Sequence, residues 1–158
     1  VIASINPEDG ASLFASNLAV VFSQLGEKTL LVDANLRSPR QQEVFDLSAR
    51  QGLSDILSGR SDLNVISRVD SFVDLSVLCA GTLPPNPQEL VSRSSFKDLD
   101  QNLGLNYDVI LYDVSAFSIG ADALAVAARA GGILLVVRKN KTRVDDIREV
   151  AEQLERYG

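Results

Sequence analysis

The chain has 158 residues, of which 46% are hydrophobic, and it carries a formal net charge of -6. This length and apolar content predict one globular domain with a substantial core. The negative charge argues against nonspecific nucleic-acid binding, which needs clustered Lys and Arg. The single cysteine, Cys79, and the lack of histidine exclude an internal disulfide, a zinc site built from Cys and His, and Ser-His or Cys-His nucleophilic catalysis within this chain.

Strand-like and helix-like segments alternate along the chain. Short apolar runs predict five strands, at residues 1–5, 29–33, 75–78, 109–113 and 133–137. Helices are expected between and after them, at residues 12–25, 40–45, 53–57, from 87 onward, 96–103, 121–128 and 144–157. This alternation predicts an α/β fold: a doubly wound, mainly parallel sheet of at least five strands with helices on both faces. We expect a single domain over residues 1–158, and further residues upstream because the chain opens directly on a strand.

The first strand leads into a degenerate phosphate-binding loop. A strand, a glycine-containing turn at residues 6–12 and a helix start together favour an anion, because the free N–H groups and the helix dipole point at it. The nucleotide-binding positions are then Gly10, Ala11, Ser12 and Leu13. The phosphate-loop signature requires Gly-Lys-[Ser/Thr] here, but the chain has Ala11 in place of the lysine.

Two predicted strands end in an acid. Asp33 closes the run 29–33 and Asp113 closes the run 109–113. Ligands of parallel α/β sheets bind outside the carboxyl ends of the strands. We therefore expect Asp33, Asp113 and the loop after the first strand to converge at one edge of the sheet.

Several motifs in order resemble the cytoplasmic domain of bacterial tyrosine kinases that control capsule and exopolysaccharide synthesis, relatives of the MinD/ParA group of P-loop ATPases. The matching segments are residues 7–19, 30–40, 52–59, 75–90 and 107–113. The resemblance implies that Ser12 ligates Mg²⁺, that Asp113 holds it through water, and that Asp33 orients or deprotonates the attacking hydroxyl or touches the metal. It further implies a Mg-ATP or Mg-ADP cofactor, a membrane polysaccharide co-polymerase and export machinery as partner, possible homo-oligomers, and a cytoplasmic location at the inner face of the membrane. The same side chains also have ordinary structural roles, such as first-turn hydrogen bonding for Ser12 and turn capping for Asp33.

The chain departs from the family pattern where the chemistry would occur. Ala11 replaces the loop lysine, Leu13 the following threonine, Glu8 a loop glycine, and Asn35 the second aspartate of the second acidic motif. Residues 114–116 replace a Thr-Pro-Pro segment. Losing one preorganised charge on the transferring phosphoryl group costs roughly 3–4 kcal/mol. We therefore expect weak or absent nucleotide binding and a vestigial or weak catalytic role for Asp33.

Two functions remain open. The first is a noncatalytic, pseudokinase-like module that regulates polysaccharide chain length and export by docking, with Arg37, Arg40 and the rigid loop at residues 84–87 as candidate contacts. The second is a working but weakened ATPase or tyrosine autokinase that recruits a substitute cation. That cation would come from a neighbouring subunit or from Lys139, Lys141 or Arg143. Tyr157 is the tyrosine that stands where a tail phosphosite would be.

Overall fold

The computed structural model describes residues 1–157, and of Tyr157 it gives the place in the last helix alone. Within these residues six strands form one sheet. The strands are β1 (Ile2–Ser4), β2 (Thr29–Asp33), β3 (Ser67–Arg68), β4 (Leu75–Leu78), β5 (Val109–Asp113) and β6 (Leu134–Val136). The helices are α1 (Ala11–Gln24), α2 (Gln41–Val44), α3 (Leu53–Leu57), α4 (Pro87–Ser92), α5 (Ser94–Gly104), α6 (Asp122–Ala127) and α7 (Val144–Tyr157).

The sheet has the order β3-β4-β2-β5-β1-β6. All neighbours from β4 to β6 pair in parallel, so the predicted parallel α/β fold is confirmed. The short strand β3 was not expected, and it pairs antiparallel with β4. It contains only a serine and an arginine, so it has no apolar run from which a strand could be predicted. Its pairing depends on the position of β4.

Helices cover both faces of the sheet because the strands are apolar on both sides. Along β2, Leu30 and Val32 belong to one core cluster and Leu31 to the other. The first cluster is completed by side chains of α3 to α6, among them the fully buried Phe96. On the opposite face, the fully buried Ala15 of α1 brings the helix close to the strands. This packing fixes α1, and with it the turn before it, against the carboxyl end of β1.

A tight backbone crossing anchors the segment after β4. A side chain on Gly52, just before α3, would collide with the carbonyl oxygen of Cys79. Gly81 has a φ of 78° and lies against the Asp55 carboxylate, where a Cβ would also collide. That carboxylate accepts hydrogen bonds from the backbone N–H groups of Gly52 and Thr82, each at 3.0 Å. The loop at residues 84–87 therefore starts from a fixed point.

No helix within residues 1–157 is both long enough and apolar enough to cross a membrane.

Candidate nucleotide and magnesium site

The carboxyl ends of β2, β5 and β1, which are neighbours in the sheet, surround one cleft of about 320 Å³. One wall comes from the turn between β1 and α1, which we call the loop side of the site. The opposite wall comes from the segment after β2 and includes Asn35, Ser38 and Arg40. Gly10, Ala11, Ser12 and Leu13 all line this cleft, and their part in nucleotide binding stays a prediction.

The loop side has the backbone of a phosphate-binding turn. Gly10 precedes α1 with a φ of 95°, and the first intrahelical bond runs from Phe14 N to Gly10 O at 2.9 Å. The N–H groups of the three residues before Phe14 therefore have no acceptor within the helix, which is what an anion site requires. Glu8 is also left-handed, with a φ of 68°. That conformation suits glycine, the residue that the family resemblance places there.

The loop side carries two acidic residues and contacts an arginine that is distant in the sequence. The Asp9 carboxylate accepts hydrogen bonds from Asn6 N at 3.1 Å and from Thr142 Oγ1 at 3.3 Å. Arg138, which follows β6, donates to the carbonyl oxygen of Glu8 at 3.4 Å. The segment after β6 is thus fastened to the phosphate-binding turn. Sequence reasoning named Lys139, Lys141 and Arg143, all exposed on this segment, but missed Arg138.

Asp33 is fully buried and is held by backbone donors. Its Oδ2 accepts from the N–H groups of Arg40 and Gln41, each at 2.9 Å, and its Oδ1 accepts from Asn35 N at 3.3 Å. Burial raises the pKa of Asp33 to about 6, although these hydrogen bonds oppose the shift. The carboxylate therefore organises the turn after β2, and its predicted part in deprotonating a hydroxyl stays a prediction.

Asp113 lies beside Asp33, because the two residues are register partners on adjacent strands. This is the convergence that the strand ends predicted. Asp113 Oδ1 accepts from Ser12 Oγ at 3.2 Å, and Oδ2 accepts from Gln41 Nε2 at 2.7 Å. Burial, and next the charge of Asp33, raise the pKa of Asp113 to about 7. We call Asp33, Asp113, Ser12 and Gln41 together the acid side of the site.

Gln41 is the member of the acid side that sequence reasoning missed. Its side chain is fully buried, and Nε2 also donates to the carbonyl oxygen of Ser12 at 3.0 Å. Its Oε1 is buried without a hydrogen-bond partner among the described residues. An unpaired buried acceptor costs about 1–3 kcal/mol. The available signal was a polar residue in the stretch after an acidic strand end, which sequence patterns do not distinguish from a surface glutamine.

The two predicted docking arginines have different surroundings. Arg37 forms a two-bond ion pair with the buried Asp122, with Nε and Nη2 at 2.5 and 3.1 Å from the carboxylate oxygens. Ser115 Oγ donates to the same carboxylate at 3.3 Å. Arg40 is largely exposed and pairs at 3.1 Å with Glu43, which is also exposed. The guanidinium of Arg40 is therefore the more available of the two.

The side chains present match magnesium better than they match phosphate. A serine hydroxyl and an aspartate carboxylate, 3.2 Å apart, are the hard oxygen donors that Mg²⁺ prefers. Within residues 1–157 no three acidic, Cys or His side chains gather into a larger metal cluster. The loop side offers N–H groups to a phosphate, but Ala11 supplies no charge there. The predicted phosphosite on Tyr157 lies outside the described side chains.

Curated proteins similar to this chain are bacterial tyrosine-protein kinases. The chain is 36% identical over 154 residues to tyrosine-protein kinase YwqD of Bacillus subtilis, a match that covers 98% of the chain and 65% of that protein. It is 30% identical over 158 residues to the putative tyrosine-protein kinase CapB of Staphylococcus aureus, covering 100% of the chain and 69% of that protein. The chain thus spans about two thirds of these two relatives. No family model matches the chain.

Solved structures agree with these relatives. The kinase domain of Escherichia coli tyrosine kinase ETK superposes with a TM-score of 0.95 at 31% identity, covering 99% of the chain and 62% of that domain. The septum site-determining protein MinD of Pyrococcus horikoshii, solved with Mg-ADP, superposes with a TM-score of 0.81 at 23% identity, covering 99% of the chain and 64% of that protein. The latter likeness concerns the fold alone, that of a P-loop ATPase. From its end-to-end match to these kinases, the chain belongs to the family of bacterial tyrosine-protein kinases.

Proposed function

We propose that this chain is a catalytically weak or inactive member of its family that regulates exopolysaccharide or capsule polymerisation and export by docking. The observation that carries this proposal is Ala11, which stands at the head of α1 where the phosphate-binding signature has lysine. The nearby Glu8 and Asp9 add negative charge to the same turn. Two carboxylates beside a triphosphate add repulsion rather than compensate for the lost lysine.

The acid side still has the groups that a weak nucleotide site would use. Ser12 and Asp113 would hold Mg²⁺, which supplies charge neutralisation at the phosphates when bound. Asp33 would orient a hydroxyl or accept its proton. The first N–H groups of α1 would contact phosphate. Without a loop-side cation we expect Mg-ATP and Mg-ADP to bind weakly, if at all, and autophosphorylation to be too slow to measure.

Docking is the role that remains when phosphoryl transfer is lost. The exposed Arg40 and the loop at residues 84–87 lie on segments that follow β2 and β4, at the same end of the sheet. A loop with three prolines loses little entropy when a partner binds it. We propose that the partner is a membrane polysaccharide co-polymerase with its export machinery, which would place the domain in the cytoplasm at the inner face of the membrane.

A cellular test separates docking from catalysis. Arg40→Glu should disturb polysaccharide length or output, whereas Asp113→Asn should leave both unchanged. Arg68→Glu, an exposed charge reversal on the far edge strand β3, is the matched control. Arg37 is unsuitable because its reversal would leave Asp122 buried beside a like charge. If Asp113→Asn abolished length control while Arg40→Glu did nothing, the docking proposal would be wrong.

A second candidate is a weakened ATPase or tyrosine autokinase that borrows a cation. The contact from Arg138 to the Glu8 carbonyl favours it, because this brings a guanidinium to the phosphate-binding turn. A turnover assay with purified protein and Mg-ATP tests this candidate directly. Turnover that Arg138→Ala abolishes and Lys139→Ala preserves would replace the regulatory proposal with this one.

A further inference from the structure

One buried residue joins the parts of the acid side. The Gln41 backbone N–H donates to Asp33, while its side-chain Nε2 donates to both Asp113 and the carbonyl oxygen of Ser12. It therefore contacts the ends of β2 and β5 and the first turn of α1. Gln41 is fully buried, at the first residue of α2.

The two oxygens of Asp113 have separate donors. Gln41 Nε2 holds Oδ2 at 2.7 Å, and this contact leaves Oδ1 directed at Ser12 Oγ, 3.2 Å away. Ser12 Oγ and Asp113 Oδ1 are the pair of oxygens that would bind Mg²⁺. The glutamine thus fixes the rotation of the carboxylate through the oxygen that Ser12 Oγ does not contact.

The unpaired oxygen of Gln41 shows which half of the amide matters. Oε1 is buried without a partner among the described residues, whereas both N–H bonds of Nε2 are used. Reversing the amide would bring its oxygen against a carboxylate oxygen, which is repulsive. The orientation of the Gln41 amide is therefore set by the hydrogen bond that Nε2 donates to Asp113, and within residues 1–157 this orientation leaves Oε1 without a partner.

We infer that Gln41 is a positioning residue that keeps Asp113 aligned with Ser12 for a divalent cation. Partners behind a metal ligand orient it, and their loss typically weakens metal binding 10- to 100-fold. The inference rests on the proposed retention of Ser12 and Asp113 as the metal-binding pair. It explains how that pair stays assembled in a domain whose loop side has lost its lysine.

The test uses Mn²⁺ alone as the probe, without nucleotide. Mn²⁺ is titrated into ¹⁵N-labelled protein, and the paramagnetic loss of the backbone amide signals of Ser12 and Asp113 is followed. Gln41→Leu should raise the Mn²⁺ concentration needed for half loss at least tenfold. Gln42→Leu, the exposed neighbour in α2, should behave like the native protein.

A second variant and a spectroscopic signature guard against a trivial result. If Gln41→Leu does not fold, Gln41→Asn keeps the amide but withdraws it by one methylene, and it should show the same tenfold loss. The side-chain NH₂ signals of Gln41 should move in Asp113→Asn, which a purely space-filling glutamine would not show. Equal Mn²⁺ response in native protein and the Gln41 variants, or no response in the native protein, would overturn the inference. Efficient Mg-ATP turnover or measurable autophosphorylation would instead overturn the proposed function and leave this inference standing.

Discussion

The loop side and the acid side of the site differ in how firmly structure holds them. On the acid side, Asp33 and Asp113 are fully buried and accept five hydrogen bonds between them. On the loop side, Glu8 is exposed and its backbone is left-handed. Ala11 has no charge with which to bind a phosphate. Groups that also stabilise the fold are costly to replace, whereas a lysine that serves only phosphate is not. Under the proposed function, the lysine of the phosphate-binding signature was replaced at position 11 without the loss of stability that a change on the acid side would cause.

The largest expected effect comes from breaking the acid side at Asp33. Asp33→Ala would leave the N–H groups of Asn35, Arg40 and Gln41 without their acceptor. We expect a loss of about 3 kcal/mol in the free energy of unfolding, measured with urea at pH 5, where the folded-state carboxyl is largely protonated and removal of its charge does not offset the loss. Asp33→Asn retains one acceptor oxygen and should lose less. A loss below about 1 kcal/mol for the alanine variant would mean that the acid is not structural.

Lowering the pH should stabilise the same side. The folded-state pKa values of Asp113 and Asp33, about 7 and about 6, lie above the ordinary value of 3.8. As pH falls from 8 to 5, the folded protein therefore takes up protons before the unfolded chain does, and the protonation of Asp113 alone should raise the free energy of unfolding by roughly 2–3 kcal/mol. Urea unfolding in EDTA at each pH measures this rise, and Asp113→Asn should flatten it. A fall in stability over this range would contradict the assignment.

Restoring the loop side should improve binding rather than stability. Ala11→Lys puts back the charge that the phosphate-binding signature has at this position. We expect Mg-ADP affinity to rise at least about tenfold, or about 1.4 kcal/mol, by calorimetry. Ala11→Gln, of similar length but uncharged, is the control. Equal affinities for the two variants, or micromolar binding by the native chain, would show that the missing charge does not limit binding.

The smallest effect is expected from the backbone of the loop side. Glu8→Gly relieves a left-handed glutamate but gives the unfolded chain more freedom, so we expect a net gain below about 1 kcal/mol. Glu8→Ala removes the carboxylate and keeps the strain, which separates charge from conformation. Urea unfolding of both variants measures the difference. A clear loss of stability in Glu8→Gly would indicate that the Glu8 side chain, rather than its backbone, holds the turn.

The sequence was sufficient for the parallel sheet and for the meeting of Asp33 and Asp113. Both depend on local signals, namely apolar runs and the acids that end them. The strand β3 could not be predicted because Ser67–Arg68 has no apolar pattern and pairs only through β4. Helix α1 begins one residue earlier than predicted, at Ala11, because the left-handed Gly10 precedes it.

Side-chain partners were harder to predict because they depend on tertiary packing. Arg37 meets Asp122 across 85 positions of sequence, so its ion pair is invisible until the fold is known. Gln41 becomes a site residue only because α2 packs beside α1 and the end of β5. The role of Arg138 depends in the same way on β6 lying next to β1.

The crossing of Gly52 and Gly81 has a mechanical consequence for the loop at residues 84–87. The two backbone segments that cross there leave no room for a side chain. The Asp55 carboxylate binds both segments, through the N–H groups of Gly52 and Thr82. A force on the loop is therefore transmitted to β4 and the sheet, because the backbone between them has little freedom to move. A partner bound to this loop would therefore be rigidly connected to the sheet, and the two would move together.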